Sequence, residues 1–535
     1  MMETKLTSSL QVQRKWIWGL FALYFLAVLV LLVYHEPWED ELQVWCVARD
    51  LSLPEIIYQM RYEGHFALWY LLVKPFTACG SVILQNYVSC LLVSASVALF
   101  LSSRQFRWDF KIALLLSCPI LYWFPVVARC YALIPLALCL LAAVYPVRFK
   151  RPFVYALALI LLVHTHAYME GFAGILGFTF AWELLRRSRR IGGRQLWTAV
   201  GLFLLLGFGV AAAFLQVAPA LDVSSFAPET AGSNWTDLSS VPARIWDALM
   251  KLPVGFAESS SKYLGKYPVI VLFYICLVAA VVQLFLTRRQ AGVFFLAGFL
   301  WQILFAALLY PMGLHRVYLP LLMLVFCFAL PMRKKAVRDL NPHMKKLLTG
   351  MIPVTILALM TLPDTLHFAV SDLEKPFSNQ WLAARLIESE LPENAKIVVF
   401  PDDLITGTFR AYLPDRFFYR CSDGQPFRIF RTGRKMPEKL DPDLLNQYLD
   451  SEKEVYLLFQ IGVFIDCQLP LDRNQFVLGD YFFDAVFVTA PISFFSAGED
   501  YVVFRVTRIK DTVSSVFSQS AFSRCDKRTS EPIGA

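Results

Sequence analysis

The chain has 535 residues, 57% hydrophobic and 17% charged, where soluble domains run at roughly 45–50% and about 25%. Apolar runs near the ~20 residues needed to cross a bilayer recur from Trp16 to Leu362, without the alternating short strands of a β-barrel. The net charge of +8 sits in short clusters between these runs, so it reads as membrane orientation and not as a nucleic-acid footprint.

Residues 1–15 carry Lys5, Arg14 and Lys15, which places them in the cytoplasm, and the uncleaved span 16–34 then leads outward. The next stretch, 35–81, is expected on the outer face. It holds Glu36, Glu39, Asp40 and Glu41 at the membrane exit, then Glu63-Gly64-His65. Ser52-Leu53-Pro54-Glu55 has capping-box spacing with an early proline, which predicts a short helix over 54–62. As a helix, 66–80 would reach about 22 Å, short of a ~30 Å hydrocarbon core. If it lies along the interface, the basic segments 104–111, 148–151, 186–194, 288–289 and 333–338 all fall on the cytoplasmic side.

Further spans are expected at 82–101, 112–127, 131–147, 153–167, 170–185, 195–217, 268–287, 291–310, 317–332 and 346–363, about eleven with the first. From 364 the composition changes. Strands are predicted at 396–400, 416–420, 454–459 and 501–507, with helices at 380–391 and 442–451, the second capped by Asp441. The reading is a polytopic helical domain over 16–363 followed by an extracytoplasmic α/β domain over 364–535, disordered beyond about 514. Eleven scattered cysteines without a CxxC pair read as small core residues. No Walker loop or dinucleotide glycine fingerprint is present, which disfavours an ATP-driven pump.

Carboxylates at a half-dry interface are costly unless they have a task or a partner. Asp40 and Glu41 therefore read either as a general base with its support or as a solvated acidic loop. His164, His166 and His315 fall on outer connections with Glu63 and His65. Together they could hold a divalent metal ion, or each could be a satisfied interfacial histidine.

The acidic pair after the first span and the run E-G-H-F-A-L-W-Y-L-L at 63–72 resemble the first outer loop of GT-C fold glycosyltransferases. The likeness is to the family 39 type, which includes protein O-mannosyltransferases and the aminoarabinose transferase of lipid A. It covers about 16–185 and includes Arg129-Cys130-Tyr131, similar to the family's S-R-Y segment. His65-Phe66-Ala67 stands where the family often has prolines.

The resemblance implies transfer of a sugar from a polyprenyl-phosphate donor to an acceptor at the outer face, with juxtamembrane helices in the first loop. It implies Asp40 as base, Glu41 in support, and Glu63 near the donor phosphate or an adjacent metal. A departing phosphate needs fixed cations, and Arg129, Arg316 and Lys74 are the candidates. Acceptors open to such a fold are glycolipids, polysaccharides and protein hydroxyls. The competing readings are a transporter or lipid-linked saccharide flippase, and a non-catalytic assembly partner. Mid-membrane charges and broken helices with a path between both faces would mark the former.

Overall fold

Seven helices long and apolar enough to cross a membrane occur among the described residues of the computed structural model: Lys15–Tyr34, Leu84–Ser102, Cys130–Val147, Leu196–Val217, Lys266–Thr287, Arg289–Leu308 and Ile352–Glu374. The structure describes residues 2–191, 193–218, 238–313, 315–332, 350–400, 406–421, 424–429, 442–452, 454–461, 474–489 and 500–509. Two compact units divide it: one runs to Ser378 and the other begins at Asn379.

Seven of the expected eleven spans have such a helix, eight if one bent pair is counted, and three physical features set the others apart. Trp108–Leu115 and Pro119–Val126 are bent by 57° into one broken segment, because Pro119 lacks an N–H and its ring clashes with the preceding turn. Side chains take up the backbone groups freed there: Thr361 Oγ1 accepts from Cys118 N at 3.0 Å, and Thr365 Oγ1 donates to Leu116 O at 2.9 Å. Pro152–Val163 and Arg316–Ala329 are apolar but only 10–17 residues long. Glu170–Ile191 is long enough, yet ends in the charged run RRSRRI.

The membrane unit also extends past 363, since Leu362–Glu374 continues the last span as a helix. The region 218–267, expected as a loop, contains the helices Val241–Phe256 and Glu258–Leu264.

Four helical elements shape the first loop. α1 (Met2–Tyr34) is followed by α2 (Glu39–Asp50), α3 (Leu53–Glu63) and α4 (Leu68–Val73), the last passing into a 3-10 turn at Lys74–Cys79. The predicted capping box is present: Ser52 N donates to Glu55 Oε2 at 2.7 Å. Gly64 ends α3 with φ 64°, a left-handed conformation that suits glycine. α4 and its 3-10 extension have six residues each and meet between Val73 and Lys74, too short a run to cross.

Several polar and basic residues meet at one end of the bundle. Arg148 Nη2 bonds Glu183 at 2.9 Å, Gln290 Nε2 bonds the same carboxylate at 2.9 Å, and Arg288 Nε reaches Leu330 O at 2.8 Å. One end of the bundle thus collects residues from four segments.

The second unit holds a mixed seven-stranded sheet in the order β3-β2-β1-β4-β7-β6-β5. Its strands are β1 (Ile397–Phe400), β2 (Phe418–Arg420), β3 (Pro426–Phe427), β4 (Val455–Gln460), β5 (Gln475–Leu478), β6 (Tyr481–Val488) and β7 (Tyr501–Arg508). β1 pairs in parallel with β2 and β4. Both faces are covered: Val398 and Phe400 pack with Leu445, Tyr448 and Leu449 of helix Pro442–Ser451, while Ile397 and Val399 pack with Ala383, Ala384 and Ile387 of Gln380–Glu390. Burial on both faces explains the unbroken apolar runs IVVF and VYLLFQ. The tail beyond 514 and Asp441 lie outside the described residues.

Candidate functional site

The acidic start of α2 is split between two roles by helix geometry. Successive residues on a helix point about 100° apart, so Asp40 and Glu41 face different surroundings. The Asp40 side chain is 39% exposed and ion-paired with Arg129 Nη1, whose own side chain is 10% exposed.

Glu41 is fully buried. Its Oε1 accepts from Asn86 Nδ2 at 2.6 Å and Ala128 N at 2.6 Å, and its Oε2 from Trp38 N at 3.1 Å. It therefore cannot touch a substrate, and instead holds the backbone one residue before Arg129.

His35 completes the anchor. Its Nε2 lies 3.2 Å from Glu41 Oε2 and its Nδ1 3.1 Å from Asp372 Oδ2, with no side-chain exposure on any of the three. Tyr122 donates its hydroxyl to the same Asp372 oxygen at 3.0 Å. Burial pulls the imidazole pKa down, but the Asp372 and Glu41 carboxylates outweigh it and lift it to about 10. The result is a buried carboxylate–imidazolium–carboxylate triad tying the first loop to the last membrane helix.

Glu63, at the end of α3, accepts at Oε1 from Gln43 Nε2 at 2.8 Å and Gln59 Nε2 at 2.9 Å. Burial raises its pKa despite these amide bonds. His65 donates Nδ1–H to Glu63 O at 2.7 Å, which leaves its Nε2 lone pair 3.4 Å from Arg129 Nη2. Burial first, then the neighbouring guanidinium, pushes His65 down to about 4, so the ring is neutral at pH 7.

Arg316 completes the charge pattern. Its guanidinium lies 4.3 Å from the Tyr310 ring centre, its buried Nε has no hydrogen bond, and among the described residues no carboxylate pairs with it. Gly313 leaves it room, for a Cβ there would meet Arg316 Nη2. Arg129, Arg316 and Asp40 all act electrostatically on His65 and Cys130, which places the three charges in one neighbourhood.

The histidines divide differently from the expected set. His166 Nδ1 accepts from Tyr168 N at 3.1 Å and its Nε2 bonds Tyr131 Oη at 2.9 Å, while His315 packs 5.0 Å from the Tyr131 ring. Burial, above all, holds both rings well below the usual histidine pKa. His164 turns elsewhere, to Gly209 O at 3.1 Å, as the divergence of positions i and i+2 requires.

The described group with metal-ligand spacing is instead His65, Cys130 and His166, whose donor atoms lie within 4.8 Å of one another. Cys130 stands in the quoted Arg-Cys-Tyr motif, but only the fold reveals its partners. The donor types suit zinc, and the ring nitrogens already have contacts of their own. His166 accepts at Nδ1, so its neutral form carries the proton on Nε2, which bonds Tyr131 Oη, and His65 Nε2 faces a guanidinium. A metal here would have to take the place of these contacts.

Lys74 is committed to structure: its Nζ donates to Ala48 O at 2.9 Å and Leu51 O at 2.5 Å, closing the C-terminus of α2. The sequence reading also passed over His35, Asn86 and Asp372, because their partners lie far along the chain. No protein-family model, curated protein or solved structure matches this chain.

Proposed function

We propose that the chain is an integral membrane glycosyltransferase that moves a sugar from a polyprenyl-phosphate donor to an acceptor hydroxyl at the outer face. The observation that carries this reading is the pairing of a 39% exposed Asp40 with Arg129, beside a second guanidinium that no described carboxylate neutralises. A carboxylate held by one arginine is anionic and oriented, as a general base must be. Neutral histidines around it leave the two guanidiniums as the main attraction for an incoming phosphate.

Arrival of the donor gives Arg129 a second anion to contact and loosens its hold on Asp40. The Asp40 carboxylate then takes the proton of the acceptor hydroxyl, whose oxygen attacks the anomeric carbon from the face opposite the phosphate. The carbon–oxygen bond to phosphate breaks, its electron pair leaves with polyprenyl phosphate, and the configuration inverts. Arg316 and Arg129 stabilise the charge that builds on the leaving phosphate. Glu41, His35 and Asp372 hold the frame and contact no reactant.

The test is transfer of labelled sugar from a panel of polyprenyl-phosphate donors by purified protein, beside the Asp40→Asn variant. Loss of transfer in the variant, with donor binding retained, is the expected result. Near-wild-type turnover by Asp40→Asn would remove Asp40 from this role, and no binding of any donor would remove the glycosyltransferase reading.

A further inference from the structure

The opposite end of the bundle contains a second charged site. Helix Arg289–Leu308, 20 residues long, separates it from the connection that carries Arg316. A cavity of about 590 Å³ opens there, lined by Tyr145, Arg148, Arg288, Arg289, Gln290 and Val293 among others.

Arg288 is the unusual member. It is only 8% exposed, yet among the described residues it has no carboxylate partner. Its Nε donates to Leu330 O at 2.8 Å and its Nη1 to Thr287 Oγ1 at 3.2 Å, which leaves Nη2 without a hydrogen bond among the described contacts. Burial lowers its pKa to about 10, so it remains charged at neutral pH. A buried cation without a counter-charge is costly. An anion in the cavity would offset that cost.

The neighbours leave an excess of positive charge. Arg148 is matched by Glu183 through Nε at 3.3 Å and Nη2 at 2.9 Å. Arg288 and Arg289 remain, so these four charged groups carry two net positive charges. Backbone adds to this: the first bond within helix Arg289–Leu308 is Gly292 N to Arg288 O at 3.2 Å, and the N–H groups of Arg289, Gln290 and Ala291 stand before it. The flanking helices expose Val282, Leu286, Val293 and Leu296, between 44% and 50% each. An apolar border of this kind suits acyl chains, whereas a soluble phosphate would gain nothing from it.

We propose that this cavity binds the phosphate of an anionic membrane phospholipid, with Arg288 and Arg289 contacting its oxygens and the acyl chains lying along Val282, Leu286 and Val293. The site is independent of the glycosyltransferase reading and gathers three segments of the chain around one headgroup.

The experiment measures lipid retained by the full chain in a non-ionic detergent, using native mass spectrometry with phosphatidylglycerol, phosphatidylcholine or glycerol phosphate. Preferential retention of phosphatidylglycerol is expected, with each arginine contributing about fivefold. Arg289→Gln should lower retention by about that factor, whereas Arg288→Lys, which keeps the charge and loses only the forked contact, should lower it by less. Equal retention of both lipids, or equal retention of phosphatidylglycerol by wild type and Arg289→Gln, overturns the proposal. Displacement by glycerol phosphate at equal concentration overturns the lipid assignment. Arg289 is exposed at the rim, so its variant decides the matter even if Arg288→Lys fails to fold.

Discussion

Replacing His35 by Gln removes the cation from a buried triad and leaves Glu41 and Asp372 without their shared partner. Removing one member of a buried ion pair costs about 3–5 kcal/mol, because the remaining charge stays desolvated. The pKa of His35 gives a second route to the magnitude: a rise from 6.5 to about 10 corresponds to roughly 5 kcal/mol at most. Because the folded value is the higher one, this stabilisation is complete below pH 6.5 and is lost as pH rises through about 10.

The assay is denaturation of purified wild type and His35→Gln in detergent, followed by tryptophan fluorescence from pH 6 to 10. The wild type should lead by several kcal/mol at low pH, and the two curves should converge toward pH 10. Tyrosines and lysines titrate in both proteins, so the difference isolates the triad. A gap that stays constant with pH would show that His35 is neutral in the fold and refute the charged triad.

Lys74→Met should destabilise the protein by about 1.5–3 kcal/mol through two lost charge-assisted bonds, while donor affinity stays unchanged; loss of donor binding at wild-type stability would make Lys74 a ligand. Gly171→Ala should cost about 1–3 kcal/mol, since its Cβ would overlap the Trp301 side chain; unaltered unfolding in detergent would show that this helix contact is loose. The His166 ring should show the Nε2-protonated tautomer by ¹⁵N chemical shift, and dialysis against a chelator should leave stability unchanged. One zinc per chain, lost in His166→Ala, would show that the ring gives up its bond to Tyr131.

Much of the architecture was legible because its signals are local. Pro119 and the RRSRRI run could have warned that 112–127 and 170–185 are not simple spans, but proline effects and charge tolerance depend on neighbouring helices. In the second unit, IVVF and VYLLFQ announced buried strands. β5 and β6 were missed although Gly479, with φ 61°, and Asp480 form their two-residue turn. The candidate site was legible only in part. Asp40, Glu63 and Arg129 stand in recognisable motifs, whereas Glu41's burial, the Lys74 cap and the separation of His164 from His166 depend on partners 23 to 87 residues away.

The bond between His35 and Asp372 spans 337 positions of the chain. During synthesis, Asp40, Glu41 and Arg129 are all made long before the helix Leu362–Glu374 exists. Until that helix arrives, His35 has one carboxylate partner instead of two, and the frame behind Arg129 lacks its rear support. The last membrane helix therefore acts as a keystone: the anchor behind the candidate site gains its second carboxylate only when that helix is in place.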